Sequence, residues 1–340
     1  MLRIAPLAYW INERHAIYLR KQHLAALPVP EWANPRRTQG VLHEYRADYL
    51  THDPILREYR FCNVFRELDR VTIWIDENIR RPFADHLDLW LMLAIARTIN
   101  WPPTLQHLMQ TPGAWPSHEA FAPEKLGEAL DAYQNLGHKV YTGAYMIRAE
   151  SDPRKHWYSW SKQRYIAEVV IGRLWEDRDD WRRFLDTPQT LQSVWERFQN
   201  DFYVGWGPFM AYEVVTDMRH TRYLGQAPDI MTWANAGPGA LRGLNRLLGV
   251  DPSQRMSPSH AVALMQDILE RLNSQRATYH SPFDLAMREL GGEPSDVLGL
   301  HVPKLEMRDV EHSLCEVDKY LRVLNGEGRP RAKYVPGRGY

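Results

Sequence analysis

Tyr203-Val204-Gly205-Trp206-Gly207-Pro208-Phe209-Met210-Ala211 sets two glycines among apolar residues and then a proline where a helix can begin. The pattern is apolar-Gly-apolar-Gly-x-x-x-Ala. Each glycine permits a left-handed or closely packed backbone, and Pro208 suits a first helical position, where no N–H is needed. Leu191, Val194, Trp195 and Phe198 precede it at helical spacing. A helix, a tight hairpin and a second helix result, and the first amides of the second helix would meet a DNA phosphate regardless of sequence. Gly205, Trp206 and Gly207 are therefore the candidate DNA-binding residues. An ordinary glycine-rich turn between helices satisfies the same pattern.

Outward from the hairpin, helical periodicity dominates and no run of alternating strand residues stands out. Helices are predicted over Trp10–Ala26, Pro54–Ile79, Asp85–Thr98, Pro123–Asn135, Tyr158–Trp175 and Thr190–Asn200. Others are predicted over Pro208–Met218, Pro238–Leu248, Pro258–Asn273, Pro282–Leu290 and Asp309–Leu324. Proline opens several of these, and Gly137, Gly249 and Gly291 follow others, as helix ends prefer. The expectation is an all-α fold. Residues 1–325 would form one helical domain of two lobes, and 326–340 a basic tail containing Arg331 and Lys333 that would order on a polyanion or stay disordered.

Composition narrows the class. Forty-two Lys and Arg balance forty-two Asp and Glu, so any DNA contact must come from a local patch. Two cysteines, Cys62 and Cys315, are too few for a disulfide framework and point to a reducing, cytoplasmic setting. They also exclude a four-Cys iron–sulfur cluster. No apolar run approaches membrane-spanning length, and the Met1 region has no cleavable-signal pattern. Thirteen Trp and seventeen Tyr supply planar side chains for a core or for stacking on an extruded base.

A second stretch, Asp53 to Trp74, reads as one helix. Asp53 would cap it and Pro54 would start it. Phe61, Val64, Phe65, Leu68 and Thr72 would make a buried stripe. Asn63, Arg66 and Arg70 would then stack on one neighbouring face, with Asp69 beside them to orient a guanidinium. Such a face suits a phosphate-rich ligand; ordinary surface salt bridges are the plainer reading.

Arg60 through Arg70, an Arg-Phe-x-Asn-x-Phe-Arg-x-x-Asp-Arg run, resembles the helical domain of bacteriophage 5-hydroxymethyl-deoxyuridine DNA kinases. It also resembles their stand-alone relatives, the α-glutamyl/putrescinyl-thymine pyrophosphorylases or amino acid:DNA transferases. Phe202 to Asp217 and Cys315-Glu316-Val317-Asp318-Lys319-Tyr320 resemble this family more loosely. A further likeness is to base-excision glycosylases of the endonuclease III type. These place a catalytic Asp about twenty residues past the hairpin, opening a helix that ends in Asn-Arg-Leu-Gly. Here Ala227-Pro228-Asp229 and Arg242-Gly243-Leu244-Asn245-Arg246-Leu247-Leu248-Gly249 look similar, with an insertion at Ala236–Ala240. The likeness implies a helix-hairpin-helix, DNA-glycosylase-like fold with Asp229 at the mouth of a cleft. Capping a helix is the other role open to Asp229, and the two are compatible. The hairpin has no lysine where lyase-type glycosylases keep their imine-forming nucleophile; Phe209 and Met210 stand there.

Other motifs are absent. No Gly-x-x-x-x-Gly-Lys-(Ser/Thr) phosphate loop occurs, nor a zinc-deaminase cluster, nor a Gly-x-Ser-x-Gly elbow. His15, His138, His156 and His220 read as surface or core residues, and Asp217 as a partner of Arg219 or Arg222 or as the end of its helix. The resemblance to stand-alone members implies a transferase acting on DNA that carries 5-pyrophosphorylmethyl-uracil, with an amino acid or polyamine displacing pyrophosphate. The modified base would leave the stack for a pocket lined by Trp206, Trp233, Tyr212 and Trp74. Arg66 and Arg70, steadied by Asp69 and Asn63, would receive the leaving pyrophosphate, which a divalent cation could assist. Asp229 would take the amine's proton. Lys319 would reach a phosphate or the amino acid's carboxylate, or else form a surface ion pair. Two rival readings stay open: a base-excising glycosylase, and a non-catalytic DNA-binding partner of a DNA-base kinase.

Overall fold

The computed structural model describes residues 2–26, 50–143, 147–274, 302–330 and 332–334. Thirteen helices succeed one another and no strand occurs among the described residues; the fold is all-α. The first, α1 (Ala5–Ala26), is followed by α2 (Pro54–Glu58), and a 3-10 turn (Arg66–Leu68) leads to α3 (Arg70–Ile75), which widens into a π turn over Asp76–Arg80. Then come α4 (Leu89–Ile99), α5 (Pro102–Gln110), α6 (Pro123–Asn135) and α7, which starts as Lys162–Arg164, widens over Tyr165–Ile171 and closes as Gly172–Glu176. They are followed by α8 (Arg178–Leu185), α9 (Leu191–Phe198), α10 (Pro208–Met218), α11 (Pro238–Leu248), α12 (Pro258–Ser274) and α13 (Met307–Leu324).

Several proline-started helices match their predicted ends. Three, at Pro123–Asn135, Pro208–Met218 and Pro238–Leu248, agree to the residue. Pro282–Leu290 lies outside the described residues. Two helices, α5 and α8, were not predicted.

The stretch from Asp53 to Trp74 is not one helix. Asp53 does cap α2, accepting from Ile55 and Leu56 N–H at 2.8 and 2.9 Å, but α2 ends at Glu58 and Tyr59 turns extended. The chain there pairs with the C-terminal segment: Arg60 N–H donates to the Ala332 carbonyl at 3.0 Å and Tyr334 N–H to that of Glu58 at 2.9 Å. Phe61, Val64 and Phe65 are buried as predicted, yet without a helix to space them. Tertiary burial and edge pairing override the local helical pattern here. The tail is correspondingly not a free basic arm at 332–334.

The chain divides into two compact units. One comprises Met1–Arg66 with Ala236–Tyr340, the other Glu67–Asn235. In the first, α11 lies against α13 at backbone contact: a Cβ on Gly243 would fall 2.3 Å from the Leu314 carbonyl oxygen. The fully buried Asp318 accepts from Nε of Arg242 at 2.9 Å and of Arg246 at 2.8 Å, tying the two helices together. Asp53 Oδ2 also accepts from the hydroxyls of Tyr9 and Tyr320, at 2.9 and 2.7 Å. The second unit has its own core, with α4 buried along its whole length.

Inside that helix Arg97 is the sole charge, and it finds Asp217 of α10 in a two-pronged pair at 2.5 and 2.8 Å. Thr72 accepts a further bond at 3.0 Å. Asp217 is buried, which alone would raise its pKa, but the Arg97 guanidinium outweighs this and holds the carboxyl below the usual range. Asp217 thus serves neither Arg219 nor Arg222. A lone Arg in an otherwise apolar helix was the signal for this pair, since a buried charge requires a partner.

Candidate active site beside the hairpin

In the second unit α9 and α10 flank the glycine turn predicted from Tyr203–Ala211. Gly205 has φ +86°, and a Cβ there would press on Val170 Cγ2 at 3.0 Å, so both conformation and space favour glycine. Gly207 precedes α10 as its cap residue, with Pro208 first in the helix. Trp206 departs from expectation. It is buried, donates its indole N–H to the Val170 carbonyl at 3.2 Å and packs on Phe198 at 5.0 Å. It pins the hairpin to the core and offers no face for stacking on a base.

Asp229 lies in a turn rather than at the start of a helix; the next helix begins at Pro238. Its carboxylate accepts from Leu191 N–H at 2.8 Å and Gln192 N–H at 3.0 Å, the first two amides of α9. The third amide, of Ser193, goes to the Thr190 hydroxyl at 2.9 Å. All orphan donors of that helix start are therefore satisfied. Each Asp229 oxygen accepts one amide hydrogen, leaving lone pairs for an incoming proton.

Aromatic rings gather next to this carboxylate. Trp233 N–H donates to the Asp229 carbonyl at 2.9 Å. The Trp233 ring meets Trp195 at 5.5 Å and the buried Tyr212 edge-on at 5.8 Å. Trp195 and Asn235 both donate to the Pro208 carbonyl, at 3.0 and 3.3 Å. Asp229, Trp233 and Tyr212 are thus brought together beside the second hairpin helix. Trp74 packs half-buried against the core of the same unit.

The remaining candidates are distributed otherwise. Asn63 and Arg66 belong to the first unit, and Asp69 and Arg70 open the second. Asn63 lies in non-helical chain, Arg66 in the 3-10 turn and Arg70 at the start of α3, so no common helical face stacks them. Lys319, in the first unit, pairs with Glu316 at 2.5 Å and lies over the Phe61 ring at 5.7 Å. Burial pulls its pKa down, but the Glu316 carboxylate more than offsets this and raises it. Lys333 meets Glu58 at 3.1 Å; Arg331 lies outside the described residues. Among the described residues no three His, Cys, Asp or Glu side chains are arranged to hold a metal, and no helix is long and apolar enough to cross a membrane. Burial pushes the Cys315 thiol up to about 12, an unreactive state.

Comparison with known proteins places this architecture. A family model described as 5-hmdU DNA kinase, helical domain, matches residues 36–329. The chain belongs to this family. Among curated proteins it is 28% identical over 206 residues to the 5-hmdU DNA kinase of Bacillus phage SP10. That match covers 57% of the chain and 31% of the relative, so the helical-domain chain spans about a third of the relative's length. No solved structure matches.

Proposed function

We propose that this chain is a phage-type DNA-modifying transferase. It would act on 5-pyrophosphorylmethyl-uracil in DNA and replace the pyrophosphate with an amino acid or polyamine. Membership of the helical-domain family carries the reading. The relative's name concerns 5-hmdU in DNA, and the proposed substrate is its activated form.

The chemistry assigns roles as follows. The hairpin backbone binds a DNA phosphate and the modified base is extruded, as in a helix-hairpin-helix glycosylase. Trp233, half-buried and backed by the buried Tyr212, is proposed as the aromatic wall beside Asp229. The amine nitrogen attacks the exocyclic methylene carbon and forms a C–N bond. The C–O bond breaks, and its electron pair leaves with pyrophosphate. Asp229 accepts the proton that the amine gives up. Arg70, with Asp69 beside it in the second unit, is proposed to stabilise the growing charge on the leaving group, as cationic donors do.

Mass spectrometry of nucleosides tests the reading, after incubation of 5-pyrophosphorylmethyl-uracil DNA with the protein and a pool of amines. A nucleoside bearing one amine is expected. Free base and abasic sites would instead indicate a glycosylase, the second reading that Asp229 beside the hairpin favours. Unchanged nucleosides would reduce the chain to a DNA-binding partner.

A further inference from the structure

Lys139, Arg148, Lys155 and Lys162, all in the second unit, form no ion pair with a described carboxylate. They stand in a segment where cations and rings interleave, ending Arg154-Lys155-His156-Trp157-Tyr158-Ser159-Trp160-Ser161-Lys162-Gln163-Arg164-Tyr165. In a chain whose formal charge sums to zero, this is a local excess rather than general basicity.

The rings hold the cations at the surface. Lys139 Nζ sits 3.8 Å from the Trp101 ring centre, and Lys162 Nζ 4.3 Å from that of Tyr141. Arg164 spreads over Trp160 at 3.7 Å. His156 stands edge-on to Trp157 and Trp160, and Tyr158 is 51% exposed. An ammonium fixed over a ring keeps its charge facing water at a smaller entropic cost when it later binds an anion.

Two residues of this segment return to the hairpin. Arg148 and Tyr165 line a hollow of about 350 Å³ whose other wall is Gly205, Gly207, Pro208 and Met210. Tyr165 is only 5% exposed, and its hydroxyl has no hydrogen-bond partner among the described residues. Such a hydroxyl at the edge of the hollow is free to donate to an anion seated there. At the same hollow the second hairpin helix presents its N-terminus, which attracts anions.

We propose that this surface is a second DNA contact. It grips the sugar–phosphate backbone next to the hairpin without reading sequence, and Arg148 and the Tyr165 hydroxyl complete a seat for one phosphate in the hollow. The inference rests on the reading of the chain as a DNA-acting protein. It adds a contact beyond the hairpin, made by residues outside the proposed chemistry.

The test is fluorescence anisotropy on an unmodified DNA duplex, titrated between 50 and 200 mM salt, with the fold of each variant checked by circular dichroism. For a Lys139→Gln, Lys155→Gln, Lys162→Gln triple variant, affinity at low salt should fall at least about tenfold. The salt slope should shrink by about 2.7, since each phosphate contact contributes about 0.9. Tyr165→Phe, which keeps the ring, should weaken binding severalfold. A folded triple variant with the wild-type slope would overturn the proposal while leaving the transferase reading intact. Wild-type protein that binds no DNA would overturn both.

Discussion

Asp229 carries two tasks that substitution can separate. Its carboxylate closes the start of α9 and is the proposed base for the amine. Asparagine keeps one acceptor oxygen for the helix but cannot take a proton. Asp229→Asn should therefore lower stability by about 1 kcal/mol, the usual worth of a cap, and reduce amine incorporation by roughly 10²- to 10⁴-fold. Single-turnover product formation beside a urea melt measures both. A loss of stability with unchanged product formation would leave Asp229 a cap alone.

His15 gives a second prediction at this scale. It is 5% exposed and packs edge-on against Phe65 at 5.2 Å. Burial, helped by the nearby Arg14 charge, lowers its pKa from 6.5 to about 4. The folded state therefore resists a proton that the unfolded chain accepts, so stability present above pH 6.5 is lost as pH falls toward 4. The shift corresponds to roughly 3 kcal/mol. Urea melts at pH 7 and pH 4 should differ by about that much less in His15→Phe than in the wild type.

Elements show which signals in the sequence survive folding. Three helices that begin with proline, α6, α10 and α11, were legible to the residue because both their ends are set locally. Asp53–Trp74 was not. Apolar residues at 61, 64, 65, 68 and 72 fit a helical stripe, but Tyr59 and Arg60 pair with a segment more than 270 positions away. Only tertiary structure supplies that partner. With the helix went the stacked face of Asn63, Arg66 and Arg70. The turn at Gly205 followed from nearby sequence, whereas the approach of Trp233 to Tyr212 and of Asp229 to the start of α9 is tertiary. Trp206 did not, because pattern alone cannot say whether a hairpin aromatic faces inward.

Contact between α11 and α13 decides what a side chain at position 243 would do. Alanine at 243 would gain about 1 kcal/mol of helix propensity over glycine. Its Cβ would nevertheless meet backbone, the Leu314 carbonyl at 2.3 Å, which no rotamer change relieves. Overpacking of this kind costs about 1–3 kcal/mol or more, so Gly243→Ala should be net destabilising in urea melts. A stabilised variant would mean that the two helices are further apart.

Across the whole molecule, zero net charge and a local basic, aromatic surface coexist. DNA contact then depends on placement rather than on bulk charge, and it should weaken steeply with salt. Two compact units and a helical-domain family match across 36–329 give the chain its outline. The central claim is the exchange of pyrophosphate for an amine. Its most direct measurement counts pyrophosphate released and amine-bearing nucleoside formed in the same reaction, on duplex DNA carrying 5-pyrophosphorylmethyl-uracil. The two should rise together, one for one, and neither should appear when the amine is withheld. Pyrophosphate released without amine incorporation, or free base in its place, would contradict the account.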